Sequence, residues 1–384
     1  MSEESSSSLN LFSPRVRKSP YFESTLGHGA RTFTIYNHMY MPTSYTDPVT
    51  EYWSLVNDVT IWDVACERQI EISGADAFEF VQRLTPRDMS RCQVGQCQYV
   101  VITDEEGGII NDALVLRPER QKFWLSPGDG DVLLWVLGAA VNSDMDVKIV
   151  EPDVSPLQLQ GPKSPQVARA LFGDWALQLK YYWLKETRLD GIPLVLARTG
   201  WSGELGYEIY LRDGRYGDLL WERVMEAGKN YGIAPIAPST IRSIEGCLFS
   251  YISDIRREDN PYVLGLDRLV DLDQPDDFIG RKALEKIKAE GVKRRLVGVE
   301  IHGEPFAQPN GEFWQVFDGD QEVGHISRCV YSPRLEKNIG FANVPTGHAD
   351  IGTKLMLATH CGERLATVCA TPWFPAQKTI PEGT

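Results

Sequence analysis

The chain has 384 residues, of which 42% are apolar and 24% charged, and this composition is typical of a globular protein with two or three domains. Its net charge is −14 and it contains no block of Lys or Arg, which excludes nucleic acid as a partner. No apolar run approaches the ~20 residues of a membrane span, and the acidic, Ser-rich start lacks the apolar segment of a signal peptide. We therefore expect a soluble, cytoplasmic protein without a membrane partner.

Cysteine and histidine usage argues against disulfides and against a bound metal. The seven cysteines are an odd number and include no Cys-x-x-Cys pair, which favours reduced thiols. The six histidines show neither the His-x-x-x-His spacing of a helical zinc site nor a cysteine at ligand spacing. We expect no metal site.

The first two hundred residues repeat one local pattern. After a Ser-rich segment over 1–20, predicted to be a flexible tail, Gln69 to Ser73 alternates like a strand. Ser73 to Asp76 has the spacing of a capping box before a helix that ends at Pro86. The same strand–turn–helix pattern restarts at Pro156 to Lys163, which predicts two related α+β modules.

A hairpin is predicted between the two copies of this pattern. Two apolar runs, Tyr99 to Thr103 and Ile109 to Leu116, flank a five-residue connection with two glycines. Asn111 and Asp112 interrupt the second run, although both residue types are depleted in strands. A β-bulge is one explanation. The other is that the Asp112 carboxylate is held in a partly apolar pocket for chemistry.

The stretch from Arg198 to Tyr210 combines three glycines, three aromatic residues and two carboxylates. Glycines allow a sharp turn and a close approach to a flat ligand, aromatic rings stack on one, and a carboxylate can bind its edge. A tight turn before an amphipathic strand explains the same pattern without a ligand, and the spacing leaves both explanations open.

The last third of the chain changes character. Leu219 to Gly228 and Thr240 to Ser250 predict helices, and Arg256 with Arg257 forms either a solvated surface or a site for an acidic ligand tail. From Leu296 onward, short apolar runs separated by Gly, Pro, Asn and Asp predict an all-β module, with a boundary near Gly291.

Five separated motifs in one order make the chain similar to the glycine-cleavage T-protein (aminomethyltransferase) family over nearly its whole length. They lie at residues 70–77, 107–112, 198–210, 278–281 and 323–333. Within the family, the segments most similar to the tetrahydrofolate-dependent demethylase branch, typified by dimethylsulfoniopropionate demethylases, are residues 61–69, 85–88 and 259–262.

The resemblance implies an α+β protein whose three domains form a cloverleaf around a folate-binding funnel. The first, folate-binding module is expected at residues 21–66 and 154–255, and the second at 67–153 and 256–290. The C-terminal β domain, barrel-like or jelly-roll-like, is expected at 291–384.

The resemblance also assigns roles to individual residues. Asp112 matches the family's carboxylate near N5 of the pteridine and is the expected catalytic residue. Glu208 matches the carboxylate that binds the pteridine's amino edge, where two neighbouring N–H donors suit a bidentate acceptor. Aromatic residues supply the other candidates: for the cofactor Tyr99, Trp201 and Tyr210, and for the substrate Tyr182, Trp183 and Tyr207. A core role is the alternative for Trp183.

The chain departs from the family at the expected anchor of the folate glutamate tail. Ser239 and Thr240 stand where the T-protein has an Arg-Asp pair. Arg242, Arg256 and Arg257 are the candidates to replace it.

The implied activity is a methyl transfer from a small activated donor, most of all a sulfonium such as dimethylsulfoniopropionate, to N5 of tetrahydrofolate, giving 5-methyl-tetrahydrofolate. Tetrahydrofolate is then a co-substrate, the partners are the two small molecules, and a homodimer is left open. The alternatives are a methoxylated aromatic or methylated amine as donor, the aminomethyltransferase reaction of glycine cleavage, and folate binding without turnover.

Overall fold

The computed structural model describes residues 12–141 and 143–381. Within them, two β-sheets with packed helices and a closed β-barrel each have a large hydrophobic core. This architecture confirms the predicted α+β class with a C-terminal barrel. No helix in this part of the chain is long and apolar enough to cross a membrane.

The elements of the described residues follow one another in this order. The strands are β1 (Thr32–Tyr36), β2 (Met39–Ser44), β3 (Val59–Asp63), β4 (Ile70–Ser73), β5 (Cys97–Thr103), β6 (Ile109–Glu119), β7 (Lys122–Pro127), β8 (Lys148–Val150), β9 (Ser155–Gln160), β10 (Leu184–Leu189), β11 (Ile192–Ala197), β12 (Gly206–Leu211), β13 (Ile233–Pro235), β14 (Arg294–Ile301), β15 (Trp314–Asp318), β16 (Gln321–Ser332), β17 (Lys337–Pro345), β18 (Lys354–Thr359) and β19 (Gly362–Cys369). The helices are α1 (Phe22–Gly27), α2 (Pro48–Asn57), α3 (Ala77–Leu84), α4 (Val132–Ala140), α5 (Ser164–Phe172), α6 (Trp175–Gln178), α7 (Gly217–Gly228), α8 (Thr240–Glu245) and α9 (Arg281–Glu290). Short 3-10 helices lie at Met89–Arg91, Gly214–Tyr216, Lys229–Tyr231, Asp267–Leu269 and Thr346–His348.

The first sheet has the strand order β10, β11, β12, β9, β3, β13, and β13 runs parallel to β3 while the other neighbours are antiparallel. Because side chains alternate along a strand, Tyr207 and Ile209 of β12 pack into the core shared with α5 and α7. Glu208, between them, therefore faces the opposite side of the sheet.

The second sheet has the order β5, β6, β7, β4, β8 and is antiparallel throughout. Residues of α3 and α4 bury Phe80, Val81, Val132 and Val136 against it. All five of its strands lie between β3 and β9 in the sequence, so the second sheet is inserted into the first. The predicted division of the two modules stays a prediction.

The C-terminal strands close into a barrel in the order β14, β17, β16, β15, β18, β19. Its first strand begins at Arg294, three residues after the expected boundary at Gly291. Strand β15 was not predicted, because its single alternating segment follows a stretch rich in Gly and Pro, in which apolar residues are isolated.

Two local predictions are wrong. Asp76 occupies the N-cap of α3, but its carboxylate accepts from the Asp146 amide (2.7 Å) instead of capping the helix, so Ser73 to Asp76 is not a capping box. Helix α8 ends at Glu245 and does not extend to Ser250, because Gly246 follows and Cys247 adopts a positive φ of 54°.

The predicted flexible tail at the N-terminus is also too long. Residues 1–11 of the predicted tail lie outside the described residues. Residue Phe12, however, packs its ring 5.1 Å from the rings of Phe22 and Tyr40. The flexible tail predicted over residues 1–20 therefore does not include residues 12–20, because aromatic contacts hold this segment to the first module.

A buried ion pair joins the barrel to the rest of the molecule. Arg328 of β16 donates through Nε to Asp254 (2.7 Å), and its other nitrogens donate to the Leu248 carbonyl and the Ser243 hydroxyl. The Asp254 side chain is fully buried and also accepts from Ser327 (2.6 Å). The segment after α8 is thereby fixed to the barrel.

Replacing Asp254 should destabilise the protein strongly, since Asp254→Ala leaves the mostly buried Arg328 charge unpaired. We expect a loss of about 3–5 kcal/mol, measured as a shift of the urea unfolding transition. Glu290→Ala is the control, because Glu290 and its partner Lys286 are 66% and 72% exposed, and it should leave the midpoint nearly unchanged. Equal midpoints for the two variants would contradict a structural role for the Arg328 pair.

Candidate functional site

A cavity of about 1390 Å³ lies where the three domains meet. Strands β5 and β6 contribute Tyr99 and Asp112, β12 contributes Glu208, the barrel contributes Phe341, and residues 371–378 close one side. Ligand pockets usually measure roughly 300–1,000 Å³, so this cavity has room for two small molecules together.

Glu208 is the carboxylate of the cavity wall that accepts the most hydrogen bonds. Its Oε1 accepts from Gln158 Nε2 (2.8 Å), and its Oε2 accepts from the Tyr210 hydroxyl (2.9 Å) and from the Thr199 hydroxyl. Gln158 lies directly opposite on β9, where the strand alternation gives both residues the same face. Burial raises the pKa of Glu208, while the three donors counteract that effect.

The arrangement around Glu208 leaves one acceptor unpaired. The Oε1 atom of Gln158 is buried and has no hydrogen-bond partner among the described residues. This end of the cavity is therefore rich in acceptors, and it suits a ligand edge that carries N–H donors.

Asp112 lies on β6 opposite Val101 of β5. A register shift between Ile102 and Thr103 places Ile110 against the core, so the predicted bulge occurs two residues before Asp112. Asp112 Oδ2 accepts from the Tyr99 hydroxyl (2.9 Å). Burial raises the pKa of Asp112 to about 6, although the Tyr99 hydrogen bond lowers it.

Glu67 is a third carboxyl in the same cavity, and the sequence did not single it out as a site residue. It follows β3 in a turn without strand or helix periodicity, and its Oε2 accepts from the Ser126 hydroxyl (2.8 Å). Burial, and next the Glu208 carboxylate, raise the pKa of Glu67 to about 8. Its position inside the 61–69 segment of the family resemblance is the signal that could have identified it.

The predicted aromatic residues divide into two groups. Tyr99, Trp201 and Tyr182 line the cavity as expected. Tyr210 lies behind the wall, where its hydroxyl donates to Glu208, so it positions that carboxylate and does not face a ligand. The roles assigned to the lining residues stay predictions.

Two predicted substrate residues do not line the cavity. Tyr207 is fully buried in the core of the first module and donates to the Ala176 carbonyl (3.1 Å), because it projects from the opposite face of β12 from Glu208. Trp183 lies outside the cavity beside Gln96, with the Lys180 ammonium 5.7 Å from its ring centre. The expectation that these two residues contact a substrate in the cavity is wrong.

Close packing requires glycine at two positions between Arg198 and Tyr210, and both positions also line the cavity. A Cβ on Gly200 or Gly206 would overlap the side-chain amide of Gln160, which donates to the Thr199 carbonyl (3.2 Å). Both glycines also line the cavity, so the two explanations offered for this stretch are compatible.

The arginines proposed for an acidic ligand tail are engaged elsewhere. Arg242 has a side chain only 1% exposed, pairs with Glu204 (2.7 Å) and does not line the cavity, and Arg257 pairs with Asp104 (3.2 Å). Arg256 packs over the Phe313 ring. Arg268 does line the cavity, and it has neither an ion pair nor a hydrogen bond to any described residue.

The described residues contain no group of three or more His, Cys, Asp or Glu that could hold a metal ion. The described cysteines are free thiols. Burial raises the pKa of the cavity-lining thiols of Cys66, Cys92, Cys97 and Cys247. These thiols are therefore in a form that disfavours nucleophilic attack.

Two family models match almost the whole chain. The GCVT N-terminal domain matches residues 21–274, and the glycine cleavage T-protein C-terminal barrel domain matches residues 294–375.

Relatives with these domains align along most of their length. The chain is 35% identical to a dimethylsulfoniopropionate demethylase of Ruegeria pomeroyi, over 94% of this chain and 98% of that one. It is 31% identical to an aminomethyltransferase of Symbiobacterium thermophilum, over 94% and 97% of the two chains. The crystal structure of glycine cleavage system aminomethyltransferase T from Bartonella henselae superposes with a TM-score of 0.85 at 21% identity, covering 95% and 99%.

Removing the Tyr99 hydroxyl should raise the pKa of Asp112 above its value of about 6, because the hydrogen bond from Tyr99 stabilises the charged carboxylate. Carboxyl carbon NMR of ¹³C-labelled Asp in Tyr99→Phe measures this change as a function of pH. Tyr262→Phe is the control, since the Tyr262 hydroxyl is buried without a partner. A pKa of Asp112 that is unchanged or lower in Tyr99→Phe would contradict the assignment.

Proposed function

The chain belongs to the glycine cleavage T-protein family, and on that premise we propose that it is a methyltransferase that moves a methyl group from a small cationic donor to N5 of tetrahydrofolate. The most suitable donor is a sulfonium such as dimethylsulfoniopropionate. One observation carries this proposal: a cavity with room for two ligands is lined by the carboxyl groups of Asp112, Glu208 and Glu67.

The Glu208 end of the cavity suits the pteridine ring. The N3–H and 2-amino groups of a pteridine form an edge with two donors, and a carboxylate accepts both in a bidentate arrangement. Glu208 is held in place by Tyr210, Thr199 and Gln158, so its orientation is set before a ligand binds. Trp201 and Tyr99 add aromatic surface to the same cavity.

Asp112 is suited to manage the proton on N5. The N5 lone pair forms the new N–CH₃ bond while the S–CH₃ bond breaks, and the electron pair of that bond stays on sulfur, giving a neutral thioether. The proton on N5 must then leave. Asp112, ionised above pH 6, can accept it and release it to solvent.

The carboxyl groups of Asp112, Glu208 and Glu67 favour a cationic donor over a neutral one in their part of the cavity. An enclosed carboxylate is costly unless a positive charge or hydrogen bonds compensate it, and a sulfonium or quaternary ammonium brings that charge. An aryl methyl ether brings none, and its oxygen leaves poorly unless an acid protonates it. The similarity to a protein named dimethylsulfoniopropionate demethylase supports a sulfonium in particular.

Direct methyl transfer is the first test. Purified protein incubated with tetrahydrofolate and dimethylsulfoniopropionate should yield equal amounts of 5-methyl-tetrahydrofolate and 3-(methylthio)propanoate, detected by mass spectrometry. A panel with quaternary amines, methoxylated aromatics and glycine plus a lipoyl-carrying protein covers the other donors. Formation of 5,10-methylene-tetrahydrofolate from the glycine mixture, with no methyl transfer from the sulfonium, would assign the aminomethyltransferase reaction instead.

Substitutions of Asp112 and of Glu208 should affect turnover and folate binding differently. We expect Asp112→Asn to bind tetrahydrofolate normally and to lose most of kcat, by roughly 10²–10⁴-fold, since the proton acceptor is gone. Glu208→Gln should instead weaken tetrahydrofolate binding by about tenfold or more, because a charge-assisted pair is lost.

The pH profile of the wild type gives an independent check. Because Asp112 must be ionised, kcat should fall as the pH drops through about 6. Binding is measured by fluorescence titration and kcat by product formation. If Asp112→Asn matched an active wild type in both assays, Asp112 would have no role in proton transfer. If both proteins bound tetrahydrofolate and neither formed product, folate binding without turnover would become the better description.

A further inference from the structure

We propose that Glu67 binds the positively charged centre of the methyl donor and thereby selects onium compounds over neutral molecules of the same shape. This inference rests on the proposed function, and it assigns a role to a cavity carboxyl that pteridine binding and N5 deprotonation leave unused. The cavity's other remaining carboxyl, Glu204, is already paired with Arg242 (2.7 Å).

The Glu67 side chain is oriented by a chain of hydrogen bonds from Gln69 through Ser126. Gln69 Nε2 donates to the Ser126 hydroxyl (2.8 Å) and to the Glu67 carbonyl (2.6 Å). Because Ser126 already accepts from Gln69, its own proton points to Glu67 Oε2, at 2.8 Å. The second carboxylate oxygen, Oε1, has no hydrogen-bond partner among the described residues, and the side chain lines the cavity.

Glu67 resembles Asp112, and differs from Glu208, in the number of hydrogen bonds that its carboxylate accepts. Glu208 accepts three hydrogen bonds and Asp112 accepts one from Tyr99. Glu67 forms no ion pair with a described Arg, Lys or His, and the adjacent Arg68 is engaged with Glu151 and the Asn37 carbonyl. A positive charge is therefore what this carboxyl lacks.

The groups that act on Glu67 are acidic or neutral. Glu208 of β12 and Asp112 of β6 are the carboxyls, and the electrostatic neighbours otherwise are Tyr36, Tyr210 and the Cys66 thiol. Burial and these carboxylates favour the protonated form of Glu67, with a pKa of about 8. An onium ligand favours the ionised form, so its binding must expel the Glu67 proton.

This linkage makes donor binding depend on pH. Below pH 8 the donor has to displace a proton, and its dissociation constant should rise up to about tenfold for each unit that the pH falls. Above pH 8 Glu67 is already ionised and the dependence should level off. Proton release on binding, measured by calorimetry in buffers of different ionisation enthalpy, reports the same event.

The decisive experiment compares two ligands of nearly equal shape. Dimethylsulfoniopropionate and 4-methylpentanoate share the carboxylate and the branched end, but only dimethylsulfoniopropionate carries a positive charge at that end. Their dissociation constants are measured on protein saturated with 5-methyl-tetrahydrofolate, whose N5 already carries a methyl group. We expect wild type to prefer the sulfonium, and Glu67→Gln to reduce that preference about 10- to 100-fold while binding 5-methyl-tetrahydrofolate unchanged.

Two further variants complete the design. Glu245→Gln is the matched control, since Glu245 is a buried carboxyl held by Tyr52 and Ser332 outside the cavity, and it should retain the sulfonium preference. Glu67→Asp keeps the charge and should retain most of the preference. If Glu67→Gln does not fold, the pH dependence and proton release of the wild type still decide the question.

The outcomes separate this inference from the proposed function. Equal affinities of wild type for the two ligands, or a sulfonium preference that survives in Glu67→Gln, would overturn the role of Glu67 whatever the enzyme's turnover. Absence of methyl transfer with a sulfonium preference that requires Glu67 would overturn the reaction and leave the onium site standing.

Discussion

The enclosure of several carboxyl groups in one cavity is the constraint on which the rest of the structure depends. Burial raises the pKa of Asp112 to about 6 and of Glu67 to about 8, and it also raises that of Glu208. Since the folded protein binds these protons more tightly than an unfolded chain does, their contribution to stability is fully present below about pH 4. It is lost as the pH rises through 6 and then 8. A cation bound in the cavity reverses this loss, so ligand charge and fold stability are coupled at the site.

Such a cavity needs walls from more than one domain. The two sheets supply the carboxyls from β6 and β12, and the turn after β3 adds the third. The barrel supplies Phe341 and Arg328, and Arg328 is also the residue that ties the barrel to Asp254. The C-terminal segment completes the enclosure: the Phe374 amide donates to the Glu245 carbonyl, and the Gln377 amide donates to the Gly203 carbonyl. The barrel is therefore part of the site.

Much of this could be predicted from the sequence, because alternation along strands reports which face is buried. The mismatch of Asp112 with its strand identified a cavity residue from local pattern alone, whereas Glu208 required the family resemblance. Glu67 was missed because it lies in a turn without periodicity, where neighbours from β7 and β12 decide its environment. Tyr207 was wrongly expected to contact substrate although its alternation with Glu208 places it in the core. The strand face on which a residue lies predicted its contact with the cavity better than its nearness in sequence to Glu208.

The insertion of the second sheet between β3 and β9 also sets an order of events during synthesis. Residues 70–150 can complete their own antiparallel sheet while β3, already made, still has no partner in its own sheet. The first sheet then closes around β3 when β9 to β13 emerge, and the barrel follows. Since domains generally fold as units from the N-terminus onward, the carboxyl-lined cavity is the last feature to be enclosed, by residues 371–378.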